Sequence, residues 1–199
     1  YGVNMVRYHQ LDAEWDTPNI YGLTKGPHQN STLEFDNEAM DRLDYLTYCL
    51  KKEGIYVYMD IFTYRRFKTG EGIENAHLLG DAGKPYNSYN RCMIELQKKA
   101  IYDFFNHYNP YTKLTNKDDP VFVMCTICNE NNLFYDSSVR KNFVRIPYYD
   151  NMFRDLFNDW LKEKGIEYDA YGCDLFSKDD TMVQFKMERH PLAVDHHRY

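Results

Sequence analysis

DPVFVMCTICNENNLF, residues 119–134, is the stretch whose reading decides the fold. Pro120 opens a run of apolar and β-branched residues from Val121 to Cys128 that is nearly unbroken rather than alternating. Such a run suits a strand buried on both faces of a parallel sheet. It stops at Asn129, Glu130, Asn131 and Asn132, four polar residues where a buried strand meets its loop. In barrels of alternating strands and helices, the C-terminal strand ends form the working face. A carboxylic acid placed there, partly desolvated by apolar neighbours, has its pKa raised and holds a proton near neutral pH. Asn129 beside it offers an amide that donates and accepts hydrogen bonds. The plainer alternative is a solvated Glu in an Asn-rich turn.

Working outward, the flanking segments repeat one unit. Residues 2–9 (GVNMVRYH) read as a short strand with Arg7 and His9 on one face at its end. Residues 10–36 form a long irregular stretch containing Trp15, Pro18, Gly22, Gly26 and Pro27. That is too long for a plain connection and reads as a site wall. Asp36 or Asn37 caps a helix to about Glu53, with Met40, Leu43, Leu46 and Leu50 at helical spacing and Gly54 closing it. Residues 55–62 (IYVYMDIF) are the next strand, with Asp60 near its end, and residues 63–89 are a second long loop. A second amphipathic helix runs from Asn90 to about Tyr108, carrying Met93, Leu96, Ala100, Ile101 and Phe104 on one stripe. After the focal strand and a loop with Arg140, Lys141 and Arg145, Pro147 starts a third helix to about Lys164. Its inward face is Met152, Leu156, Phe157, Trp160 and Leu161, and Gly165 stops it.

Long loops thus follow strands and shorter turns precede them. This asymmetry is the layout of a βα barrel within one α/β domain spanning residues 1–199. A full barrel takes about 250 residues in eight units, and three units are legible here. The sequence starts at Tyr1, already in a strand pattern. The expectation is a piece of a longer barrel whose bare edges are covered by the remaining strands or by a second copy.

Composition narrows the partners. A formal net charge of −6 with no basic run argues against nucleic acid or an anionic membrane surface. No apolar run approaches the length of a bilayer span. The 19 Tyr among 199 residues fit a sugar-binding cleft and a Tyr-rich core equally well. Cys49, Cys92 and Cys173 are scattered, whereas Cys125 and Cys128 have CxxC spacing inside the predicted strand. Side chains three apart on a strand point to opposite faces, so a reduced, buried pair is expected rather than a metal clasp. His190, His196 and His197 lack carboxylate–histidine spacing and read as a solvated tail, so no metal or cofactor is expected. No GxGxxG, GxxxxGK[ST] or GxSxG pattern is present.

Residues 2–9, 55–61 (IYVYMDI) and 126–131 (TICNEN) together resemble the second, third and fourth barrel strands of clan A glycoside hydrolases, cellulase-like and family-5-type. Residues 148–161 resemble the helix that follows, so the likeness covers about residues 1–165. The resemblance implies a (β/α)8 barrel hydrolysing a β-linked oligo- or polysaccharide by a retaining mechanism. It makes Glu130 the general acid/base and Asn129 the ligand of the sugar hydroxyl beside the reacting carbon. It makes Arg7 the group that holds the nucleophile ionised. Where relatives often carry a His near the end of the third strand, this chain has Phe62 and then Tyr64. The nucleophile, a second Glu on the seventh strand, has no matching segment. Retaining hydrolysis needs two carboxyl groups about 5 Å apart, so the chain by itself is expected to be inactive.

Each candidate also has a structural reading. Arg7 pairs with Asp60 or Glu130 in a plain ion pair, and His9 is a hydrogen-bonded core histidine. Asp60 is a strand-end carboxylate that orients Arg7 or His9. Trp15 is either a platform for a pyranose face or a packing plug. The competing function is a non-catalytic carbohydrate-binding or scaffold barrel that keeps the cleft without the nucleophile.

Overall fold

The computed structural model describes residues 2–15, 19–22, 31–131 and 146–165. The chain divides into two compact units, residues 1–131 and 132–199. The loop cations Arg140, Lys141 and Arg145, together with Asn132, Pro18, Gly26, Pro27, Cys173 and the three C-terminal histidines, lie outside the described residues.

In the first unit the order is β1 (Met5–Tyr8), α1 (Asn37–Lys52), β2 (Tyr56–Phe62), α2 (Arg91–Asn106), a small hairpin of β3 (Tyr108–Asn109) and β4 (Leu114–Thr115), then β5 (Phe122–Cys128). Three strands form a parallel sheet in the order β1-β2-β5. Each strand is therefore added beside the previous one in the same direction. Right-handed crossovers that always step the same way put their helices on the same side of the sheet. Val57, Met59 and Ile61 of β2 accordingly share one core cluster with Met40 and Leu43 of α1 and with Ala100 and Phe104 of α2.

The caps fall where the sequence puts them. The Asp36 carboxylate accepts from Ala39 N, and the Asn90 side chain accepts from Met93 N. Each satisfies an amide that a first helical turn leaves open. Gly54 follows α1 with φ +70°, a left-handed turn that glycine takes without strain.

Several expectations need correction. Among the described strands β5 lies at the sheet edge, and it is not buried on both faces: Val123, Met124 and Ile127 are half or more exposed. The strand that is deeply buried is β2, which among the described strands is the one with neighbours on both sides. Cys125 is exposed and Cys128 half-buried for the same reason, so they are not a buried pair. On α1, Leu46 is exposed, while Asp44 and Thr47 are buried through polar contacts. Helix α2 ends at Asn106, two residues short of the expected end, because residues 108–109 turn into the hairpin. The loop 63–89 is built from four short 3-10 turns.

In the second unit, α3 runs Pro147–Glu163 with Pro at its first turn. Tyr149, Phe153, Phe157, Trp160 and Leu161 are buried, and Leu156 is exposed. The buried stripe starts one turn earlier than the spacing suggested.

Candidate functional site

Parallel registry brings the strand-end residues together. Arg7 of β1 lies opposite Tyr58 of β2, and Asp60 lies opposite Thr126 of β5. Alternation then puts Arg7, Tyr58, Asp60, Met124 and Thr126 on the sheet face away from α1 and α2. One irregularity sets this up. Val57 pairs with Phe122 but Tyr58 pairs with Met124, so β5 carries one extra residue, Val123. Such a bulge re-aims every side chain beyond it. Without it Met124 and Thr126 would face the helices.

Asp60 is the hub. Its Oδ2 takes the Arg7 guanidinium at 2.7 Å and His9 Nδ1 at 2.5 Å. Its Oδ1 has no hydrogen-bond partner among the described residues, although the side chain is fully buried. Arg7 Nη2 also donates to Asn129 Oδ1 at 2.7 Å, tying β1 to the loop after β5. The guanidinium stacks over Tyr58 at 5.0 Å, and Tyr58 OH bonds Thr126 Oγ1. Asn129 N donates to Phe62 O at 2.8 Å, which extends the β2–β5 ladder to the site. The bond to Asp60 pushes the Arg7 guanidinium above its ordinary range, and the charge of Glu130 adds to that.

Glu130 is exposed and adopts φ +48°, a left-handed conformation uncommon for a residue with a Cβ. The partial desolvation expected from the apolar strand is therefore not provided by these residues, because β5 lies at the edge of the described strands. Non-glycine residues held in this region recur at functional turns.

A second wall stands beside His9. Tyr64 makes edge contacts with His9 (6.2 Å between centroids) and with Trp15 (4.8 Å). Trp15 is 55% exposed, so an indole face remains open to solvent. Tyr64, which follows Phe62 where the resembled hydrolases often carry a histidine, is thus in contact with both His9 and Trp15.

The wall is pinned by groups that the sequence reading missed. Asp12, buried, accepts from the amides of Thr63, Tyr64 and Arg65 and from the Thr63 hydroxyl. Arg65, 1% exposed, donates to Thr32 Oγ1, Thr32 O and Leu96 O, and lies over the rings of Tyr21, Phe62 and Phe67. Glu71 takes the Thr32 amide and hydroxyl and Lys68 N. These residues sit in irregular loops, where no period marks a buried position.

The strand-end cluster therefore offers a fixed cation with an exposed carboxyl near it, an amide, and an imidazole whose second nitrogen is unused by Asp60, with the exposed Trp15 indole on the Tyr64 wall. That combination can bind sugar hydroxyls by hydrogen bonding and a pyranose face by stacking. Among the described residues no group of His, Cys, Asp and Glu is arranged to hold a metal. None of the described helices is long and apolar enough to cross a membrane. No family model matches the chain, and no curated protein matches it.

Proposed function

We propose that this chain carries the acid/base half of a retaining glycoside hydrolase site on part of a (β/α)8 barrel. The observation that carries the reading is the Arg7 guanidinium, bonded at once to Asp60 and Asn129 and so spanning three adjacent parallel strands next to Glu130. The sequential strand order, with both crossover helices on one face, supports a barrel over a doubly wound sheet. In this reading Glu130 protonates the leaving oxygen and later activates water, and Asn129 holds the neighbouring hydroxyl. Arg7 and His9 border the reacting sugar, Asp60 fixes both, and Trp15 stacks on the next ring. The substrate is a β-linked oligo- or polysaccharide.

Asp60 does not serve as the nucleophile, because its side chain is fully buried and committed to Arg7 and His9. The attacking carboxylate then comes from outside the described residues. The test is Glu130→Gln in a form of the protein that turns over aryl β-glycosides. Loss of activity on poor leaving groups, with dinitrophenyl glycosides still cleaved, is the expected result. Equal rates for both proteins on both substrates would refute the role. The second reading, a carbohydrate-binding barrel without turnover, is favoured by the exposure of Glu130. It predicts binding of the same glycans with no hydrolysis by any form of the protein.

A further inference from the structure

On the helix side of the sheet, away from Arg7 and Asp60, a groove of about 700 Å³ runs between the first turns of α1 and the last turns of α2. Its rim carries Tyr102, 68% exposed, and Tyr108, 53% exposed. Neither phenol ring serves the core. Its floor is Asp44, buried and held by His107 Nε2 at 2.7 Å, with Asn109 Nδ2 on the Asp44 carbonyl. The walls are also preset: Asp41 accepts from Tyr111 OH at 2.8 Å, and Asp103 takes Lys99 Nζ at 2.5 Å. Asn37 and Glu34 line the same groove and make no side-chain hydrogen bond among the described residues. Both are exposed, so the Asn37 amide and the Glu34 carboxylate stay accessible to a ligand.

We propose that this groove is a second carbohydrate-binding site, taking a short run of neutral β-linked pyranosides. Its volume lies in the range of small-molecule sites, about 300–1,000 Å³. Flat exposed tyrosines offer faces for pyranose rings, and carboxylates already fixed by internal partners accept sugar hydroxyls at little further ordering cost. Charge selects the class of sugar. Glu34, Asp41, Asp44 and Asp103 outnumber Lys99 and His107, so the groove repels uronates and phosphosugars and admits neutral ones. The proposal rests on reading the strand-end cluster as a carbohydrate site, and it adds a holding site that engages the same polymer apart from the reacting bond.

The experiment uses the full chain carrying Glu130→Gln, with cellohexaose and mannohexaose as probes and polygalacturonate as the anionic control, read by calorimetry. Two variants separate the sites: Trp15→Ala at the strand ends, and Tyr102→Ala with Tyr108→Ala at the groove. Circular dichroism verifies that each keeps its fold. The expected result is residual hexaose binding in the Trp15 variant that weakens about tenfold when the two tyrosines are also removed, with no polygalacturonate binding. If removing the tyrosines changes nothing while Trp15→Ala abolishes binding, the groove proposal falls and the strand-end reading stands. Polygalacturonate binding that is lost with the tyrosines also overturns the proposal. If neither hexaose binds the parent protein, both readings fall.

Discussion

Replacing Asp12 by Asn changes one atom, yet it strips acceptors from the loop that carries Tyr64. Oδ2 of Asp12 accepts from Thr63 N at 2.8 Å and Arg65 N at 2.9 Å. Oδ1 accepts from Tyr64 N at 3.1 Å and from the Thr63 hydroxyl. An amide presents one acceptor oxygen and one NH2 group. The less costly orientation puts the NH2 at Oδ1, where the Thr63 hydroxyl can turn to accept from it, and leaves Tyr64 N facing a donor. One buried amide without an acceptor costs about 1–3 kcal/mol. The two amides still bonded exchange a charged acceptor for a neutral one, at about 1 kcal/mol each. Relief from burying a charge offsets part of this. The net expectation is a loss of about 2–4 kcal/mol in the stability of this loop. Amide hydrogen exchange at Thr63, Tyr64 and Arg65 reads the loss locally, as exchange about thirtyfold faster or more. Because Tyr64 packs its edge on Trp15, the tryptophan emission should shift as well. Exchange at all three amides within fivefold of the parent would refute the reasoning, since it would mean that the carboxylate does not hold the loop.

The remaining expectations follow from the same contacts. Asp60→Asn should cost about 1–2 kcal/mol in urea unfolding, below the usual penalty for breaking a buried pair, because Arg7 is 43% exposed and its charge stays solvated; a loss above 4 kcal/mol would show that Arg7 is not so solvated. Burial pushes the Tyr8 and Tyr21 phenols up to about 12, in each case partly offset, by the bond to Thr47 and the charge of Arg65 respectively. Their folded-state pKa lies above the unfolded value near 10, so their contribution is whole below about pH 10 and falls by about 1.4 kcal/mol per pH unit per tyrosine up to about pH 12. Absorbance at 295 nm should show at least these two tyrosines lagging until unfolding, and complete titration of all tyrosines near 10 with native circular dichroism would contradict this. Asp36→Ala and Asn90→Ala should each lower stability by about 1 kcal/mol in urea unfolding, since each removes a side chain that caps a first-turn amide; no change for either would show that its cap contributes nothing.

Much of the site was legible because its residues sit at the ends of regular elements. Arg7, Asp60 and Asn129 each close a strand whose apolar alternation or run is plain, and the registry of parallel neighbours then brings them within hydrogen-bond distance. The burial of β5 was misread, because an apolar run records what a strand is made of and not how many neighbours it has. Leu46 and Leu156 were misplaced for a related reason: a leucine at approximate helical spacing sits off a stripe only about 100° wide.

The sequence alone determined the alternation of strands and helices, the residues that start and stop them, and the grouping of polar side chains at strand ends. These depend on neighbours a few residues apart, through capping, turn chemistry and periodicity. Only the tertiary structure decided that Asp60 is a buried hub and that Glu130 stands in solvent. It also decided that Asp12 and Arg65, in the irregular loops that follow β1 and β2, hold the wall that carries Tyr64. Burial and pairing of a polar group are set by which distant elements fold over it, and no local pattern encodes that.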